Sequence, residues 1–429
     1  MIERIIKALK NNPKVNAWRI LETKSKSSEL FFVSKRLETT RATDLDAFKV
    51  TVYTDFDGFR GSATMPVETY MSDADLKGVV EEALYRASFV KDKYYDLVAP
   101  VSAKLVNIKS NMEEHSLQEC ANIVADAVFK ADNVDKGSLS ATEIFVYDKE
   151  YRVVNSCGVD YSFHKYSGML EFIPNWVGEK EEVELYRNIR FGAIDPADIT
   201  ARVSEALVAA KDRSIAVHLP KEVKKCKVLL AGNDVGQLFS FFVSQLDYAT
   251  VFQQMSLFKL GESCQGDKVL GDKINITLTP YVAECVASRP VDTDGVVLHE
   301  IKLIDKGIPL QYAGASRWGQ YLGVKEPTGS LPLIVVAPGS KSIAEMEKEP
   351  YIECVAYSGL QVDPFSDYIG GEVRLGYYFD GKKRYPITGF SIGGSLKEAI
   401  KNMHLSKETR KDARMVHPTH VEIEGMDII

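Results

Sequence analysis

The stretch Lys225 to Val251, KCKVLLAGNDVGQLFSFFVSQLDYATV, reads as a buried strand, a tight turn and a helix. Val228, Leu229 and Leu230 form a short apolar run, stopped by Ala231, Gly232, Asn233 and Asp234, which are turn and capping residue types. From Val235 onward Leu238, Phe239, Phe242, Val243 and Leu246 recur at spacings of three and four, the mark of one broad apolar helical face. Ser240, Phe241, Ser244 and Gln245 fall on the outward and flanking positions. None of these is an ordinary metal ligand or a strong acid or base, so a helix placed where enzymes often mount their chemistry carries none.

Toward the N-terminus five short strands are expected between residues 15 and 64, with a turn at Asp55-Phe56-Asp57-Gly58. Helices follow at 72–91, where Ser72 and Asp75 resemble a capping box, at 116–131 and at 196–211. Between the last two, strands are expected at 138–148, 151–155 and 160–172. Strands and long helices in separate blocks predict an α+β fold, with helices on a mostly antiparallel sheet. Beyond the central helix the pattern changes to short strands at 274–278, 301–304, 333–336, 352–357, 372–379 and 385–390, with helices only at Ser342 and at 396–403. A β-rich C-terminal domain wrapped around the Val235 helix is therefore expected. At 429 residues the chain exceeds one ordinary core, which predicts two domains, 1–212 and 213–429.

The 53 Lys and Arg against 60 Asp and Glu give a net charge of -7, which argues against non-specific nucleic-acid binding. No run reaches the roughly 20 apolar residues of a membrane span. The N-terminal segment MIERIIKALKNNP reads as a short amphipathic helix rather than a signal peptide. Six scattered cysteines with no C-x-x-C pair read as buried free thiols, so a cytoplasmic protein is expected.

Four patterns suggest chemistry. Gly389-Phe390-Ser391-Ile392-Gly393 matches G-x-S-x-G, but the alternation of a doubly wound hydrolase is missing, so a glycine turn is the expectation and a serine hydrolase using Ser391 the alternative. Gly393 is expected to need a positive φ in that turn. His299-Glu300 lacks a second imidazole one turn on and reads as a strand with an exposed His. His417-Pro418-Thr419-His420 reads as a solvent-exposed tail, because Pro418 forbids helical ligand spacing. Pro338-Gly339-Ser340-Lys341-Ser342 lacks the leading Gly and the adjacent Gly-Lys pair of a phosphate loop and reads as a turn into a capped helix.

Several segments in order carry a resemblance: the helix Ala74 to Ala83, Asn155-Ser156-Cys157-Gly158-Val159, Asp292-Thr293-Asp294-Gly295, Pro338-Gly339, Gly370-Gly371-Glu372-Val373 and Thr388 to Gly394. From about Val15 to its end the chain resembles the TldD/PmbA family, often labelled modulators of DNA gyrase, and the PmbA (TldE) side of it more than the TldD side. The resemblance implies a dimer around a peptide-sized cavity, and zinc proteases among the TldD members, with H-E-x-x-x-H on the central helix and a Cys near the C-terminus as ligands. On that motif Ser240 falls at the first His, Phe241 at the Glu and Gln245 at the second His, and no Cys follows Cys354. A one- or two-residue shift restores nothing, since residues 231–255 contain neither His nor Cys.

The expectation is a non-catalytic subunit of a metalloprotease assembly acting on unfolded peptides, holding no metal or cofactor itself. Zinc is expected only in a catalytic TldD-like paralogue. The alternative partner is a second copy, in a stand-alone peptide-binding homodimer. Main-chain pairing with peptide is expected at Gly370, Gly371 and Glu372.

Overall fold

The computed structural model describes residues 1–429 apart from 180 and 233. The Asn233 part of the expected turn thus lies outside the described residues.

The N-terminal half is built on one eight-stranded sheet, antiparallel throughout. Its centre is three long strands, Ala17–Val33, Arg36–Phe56 and Gly137–Asn155, flanked by Asp160–Val177. The expected five-strand meander is corrected here: 15–21 with 29–34, and 37–43 with 47–53, are halves of single strands. The polar middle, Thr23 to Glu29, looks like a loop in sequence. It stays extended because strand partners pair it on both sides, and Glu29 is buried with Ser27 and Arg41 as hydrogen-bond partners. The same merging joins 138–148 to 151–155.

A strand presents alternate residues to one face. The even-numbered Ile20, Leu30, Phe48, Val50, Ile144 and Val154 all face helices, so the four helices share one side of the sheet. Ile2–Lys10 and Asp73–Ala87 cover one end, and Leu117–Ala131 and Pro196–Ile215 the other. Ser72 with Asp75 and Ser116 with Glu119 form capping boxes that satisfy the first helical N–H groups.

The C-terminal half holds two sheets. In the nine-stranded sheet five strands close into a ring: Tyr351–Tyr357, Lys225–Leu230, Val421–Ile428, Phe390–Ser395 and Tyr368–Phe379, the last pairing back to the first. The six-stranded sheet is centred on Ile276–Thr279 and Leu333–Val336. The helix Val235–Gln245 lies in the core they share, its Leu238, Phe239 and Phe242 packed with Ile352 and Val373 of one sheet and Leu278 and Ile334 of the other.

Two short helices escape the sequence pattern, Tyr248–Phe252 and Ser316–Tyr321, each too brief for a 3.6-residue period to show. Helices also form at Ile343–Met346, with Ser342 and Glu345 in a capping box, and at Leu396–Asn402. The G-x-S-x-G turn is corrected: only Gly389 turns, with φ 70°, and Phe390–Ser395 is a ring strand. Gly393 has no positive φ. The His417 segment is no exposed tail, because Met415–Pro418 pairs with Leu333–Val336 and His417 is fully buried. His299 is exposed as expected, but the strand begins after it, at Ile301. All six cysteines are free; four are buried, Cys226 is half-buried and Cys157 is exposed.

Candidate functional site

The strand Lys225–Leu230 drives the chain into the core, and Gly232 turns it with φ 78° against the carbonyl of Val355, where a Cβ would sit 2.3 Å from that oxygen. The central helix follows at once. Phe241 and Gln245, expected at its outward edge, are instead only 6 % and 4 % exposed. The reason is the segment after the helix, which folds back over it. Phe241 packs edge-on against Phe242 at 5.3 Å and Phe258 at 5.5 Å between ring centres. The Gln245 side-chain oxygen accepts the Leu257 N–H at 2.7 Å, and its backbone carbonyl accepts the Ser256 hydroxyl at 2.6 Å. Ser240 is half-exposed, and the Ser244 hydroxyl donates to the Phe241 carbonyl at 2.8 Å.

The motif positions therefore do structural work: one fills an aromatic cluster and one ties down a loop. Among the described residues no group of three His, Cys, Asp or Glu side chains is placed to hold a metal ion. The residues present do not fit zinc, which needs imidazole, thiolate or carboxylate donors converging on one point. His417 packs on Phe239 with ring centres 5.6 Å apart, but its Nε2 is occupied by Asp412 at 2.9 Å and its Nδ1 lies 2.7 Å from the Pro418 carbonyl. Burial pushes the Asp412 carboxyl up, yet the His417 hydrogen bond and the charges of Arg410, His417 and Arg202 outweigh it and hold it below the usual range.

A hollow of about 520 Å³ opens beside Phe241. Phe258, Leu396 and Ile400 supply apolar wall, and Lys268, Lys397 and Lys401 stand among the charged residues lining it. Cys264 also lines it, but burial pushes its thiol up to about 12, so it is neither a ready thiolate ligand nor a nucleophile.

Gly370, Gly371 and Glu372 sit in the ring strand Tyr368–Phe379. Gly370 is paired on one side to Gly393 and on the other to Gln361, and the Glu372 carbonyl accepts the Ser358 N–H at 2.9 Å while Ser391 flanks it opposite. The main chain there has no free edge, which corrects the expected strand addition. A Cβ on Gly370 would sit 2.3 Å from the Ile392 carbonyl and one on Gly371 2.3 Å from the Gly359 carbonyl, so close backbone approach accounts for both glycines. The exposed Glu372 carboxylate accepts the Ser358 hydroxyl at 2.8 Å. Ser391 exchanges both backbone hydrogen bonds with Ile429 and, among the described residues, has no His partner, so the elbow geometry of a serine nucleophile is absent.

One cluster was hidden in the sequence. Glu353, buried, accepts from Arg384 at 2.7 Å and lies 3.2 Å from His420 Nε2. Arg384 stacks 3.6 Å above the Tyr377 ring, and the Tyr377 hydroxyl donates to Asp212 at 2.7 Å. Burial pushes the Glu353 carboxyl up, but hydrogen bonds from His420 and Arg384, with their charges, bring it below the usual range. The only sequence signal was the His-Pro-Thr-His pattern. Nothing in it names Glu353, 67 residues away.

Residues 223–429 match the family model of the PmbA/TldA metallopeptidase C-terminal domain. The chain is 26% identical over 180 residues to a Haemophilus influenzae protein named metalloprotease PmbA homolog, covering 40% of this chain and 39% of that protein. It is 27% identical over 185 residues to metalloprotease PmbA of Escherichia coli, covering 42% and 40%. The matches thus span about two fifths of the length of these relatives. In fold it is similar to TldE from Thermococcus kodakarensis, with a TM-score of 0.80 at 16% identity over 100% of this chain and 99% of that one. It is also similar to a Thermotoga maritima protein proposed as a modulator of DNA gyrase, with a TM-score of 0.78 at 17% identity over the whole of both chains. The family model on the C-terminal half, the PmbA relatives and the full-length likeness in fold agree, and together they support the metallopeptidase-related TldD/PmbA family for this chain.

Proposed function

We propose that this chain is the non-catalytic subunit of a TldD/PmbA-type metallopeptidase assembly acting on unfolded peptides, with zinc supplied by a TldD-like paralogue. One observation carries the reading: at the positions that the family motif gives to His, Glu and His stand Ser240, a buried Phe241 and a buried Gln245 already bonded to Leu257. A phenyl ring cannot take a proton from water, and neutral hydroxyl and amide groups do not replace imidazole or thiolate on zinc. Beside that helix the hollow at Phe241 combines apolar wall with charged rim, which suits an extended peptide segment. On this reading the chain divides into domains 1–212 and 213–429, works in the cytoplasm and dimerises through its partner. Among the described residues no helix is long and apolar enough to cross a membrane.

The test is reconstitution. The chain alone cleaves no unfolded peptide, and adding a paralogue with intact H-E-x-x-x-H produces, or greatly raises, EDTA-sensitive cleavage. Equal cleavage by the paralogue alone, with no association at about micromolar concentration, near -8 kcal/mol of binding free energy, refutes the subunit role and leaves a stand-alone binder.

A further inference from the structure

A cavity of about 750 Å³ lies between the two halves of the chain, away from the hollow at Phe241. The strand Arg187–Phe191 and the helix Pro196–Ile215 wall one side; Asp234, the strand Tyr351–Tyr357 and His420 wall the other. Ile189, Arg202 and Arg410 also line a neighbouring hollow of about 330 Å³, so the two adjoin.

Most charges in this cavity are paired. Glu353 has Arg384 and His420, Arg202 donates to Asp198 at 2.8 Å and to the Lys411 carbonyl at 3.0 Å, and Arg410 donates to Asp412 at 3.2 Å. Among the described residues three charges differ, the exposed Glu205 and two half-buried groups. Arg187 donates to the Tyr186 carbonyl at 2.9 Å, and among the described residues no carboxylate comes within 4.0 Å of its guanidinium. Asp234 accepts from Gln237 at 3.2 Å, has no cation within the same distance among the described residues, and makes no side-chain cap to its own helix. They stand on opposite halves of the chain, close enough to act on each other's charge but not touching. Burial is the largest influence on both, pushing the Arg187 guanidinium down and the Asp234 carboxyl up.

At about 750 Å³ the cleft is far larger than the space of a water bridging two side chains and falls in the range of small-molecule sites. Phe172, Ile189 and Val355 give it apolar wall as well. An unpaired cation, an unpaired anion and apolar surface in one cavity match a ligand carrying the reverse charges on an apolar body. We propose that this cleft binds a small apolar zwitterion, a free amino acid or short peptide, with its carboxylate on Arg187 and its ammonium on Asp234. Guanidinium is the side chain best shaped for a carboxylate, through two parallel N–H bonds. The site needs no partner subunit and no part of the Phe241 hollow, so it stands or falls apart from the subunit reading.

Calorimetric titration of the full chain tests it with free leucine, alanyl-leucine, alanyl-leucine amide and N-acetyl-alanyl-leucine. Leucine, the dipeptide or both bind saturably, which tells amino acid from peptide. Blocking either end weakens the dipeptide at least about tenfold, or ~1.4 kcal/mol. Arg187→Gln weakens the free dipeptide to the same degree but weakens the amide no further, and Asp234→Asn behaves likewise toward the acetylated form. The blocked ligands test the unaltered protein, so a variant that fails to fold does not stall the test. Absence of saturation by both free ligands at about 10 mM, tenfold above a Kd worth only ~4 kcal/mol, overturns the proposal. So does equal saturable binding of the free and blocked dipeptides or, where leucine alone binds, leucine binding that neither Arg187→Gln nor Asp234→Asn weakens.

Discussion

Phe241→Glu restores the acid that the family motif places on the central helix, and the structure says it damages the fold instead of reviving a site. Phe241 is 6 % exposed and packed edge-on against Phe242 and Phe258. Losing those ring contacts costs about 2–3 kcal/mol, toward the lower end for a buried aromatic because the glutamyl stem refills part of the space. The carboxyl adds a pH-dependent term. Kept protonated inside to pH 7, against about 4.3 when unfolded, it costs a further ~1.4 kcal/mol per pH unit, or roughly 3–4 kcal/mol at neutral pH. The sign is fixed: a carboxyl whose folded pKa is raised leaves the unfolded state to ionise first, so stability falls as pH rises above about 4.3. The total, about 6 kcal/mol at pH 7 and 2–3 kcal/mol at pH 4, is large beside the 5–15 kcal/mol of an ordinary domain. Urea unfolding of the variant and the parent at both pH values reads it as a midpoint shift of roughly 2–4 M at neutral pH. A shift that is the same at pH 4 and pH 7 refutes the reasoning, since it means that the carboxylate reaches the lysine-lined hollow and stays charged.

Gln245→Ala removes the acceptor of the N–H of the exposed Leu257, a loss of about 0.5–1.5 kcal/mol, and speeds amide exchange across 253–258; unchanged exchange there means that the glutamine does not hold the loop. Gly371→Ala drives a Cβ to 2.3 Å from the Gly359 carbonyl, whereas Gly393→Ala meets only Tyr368 and Ile429 side chains at 3.4 and 3.5 Å. The first lowers Tm by several degrees and the second by much less, and equal shifts in Tm contradict the packing described. Lys165 donates to the Val286 and Ser288 carbonyls, and burial, then Arg289 and Lys149, push its ammonium down to about 8. A lysine with a folded pKa below its unfolded value of about 10.4 releases its proton first when folded, so its contribution to stability rises with pH between 8 and about 10.4. Lys165→Met flattens that rise in urea midpoints taken from pH 7.5 to 10; an unchanged slope locates the titration elsewhere.

What the sequence determined by itself was everything that a local rule can encode. The strand, turn and helix at 225–245, the Ser-capped helices and the Asp57-Gly58 turn follow from periodicity and capping chemistry within a dozen residues. The blankness of the central helix is equally a matter of residue types, because no fold makes a ligand of phenylalanine. The tertiary structure decided which side chains that helix buries: Phe241 and Gln245 are covered by residues 256–258, and periodicity says nothing about a later segment folding back. Strand length also escaped, since the polar run Thr23 to Glu29 is extended only because neighbours far along the chain pair with it. The same holds for the cleft. Arg187 and Asp234, Glu353 and His420 are ordinary residues in sequence: the first two acquire their chemistry from burial where the two halves meet, and the last two from a contact 67 residues apart that only tertiary packing supplies.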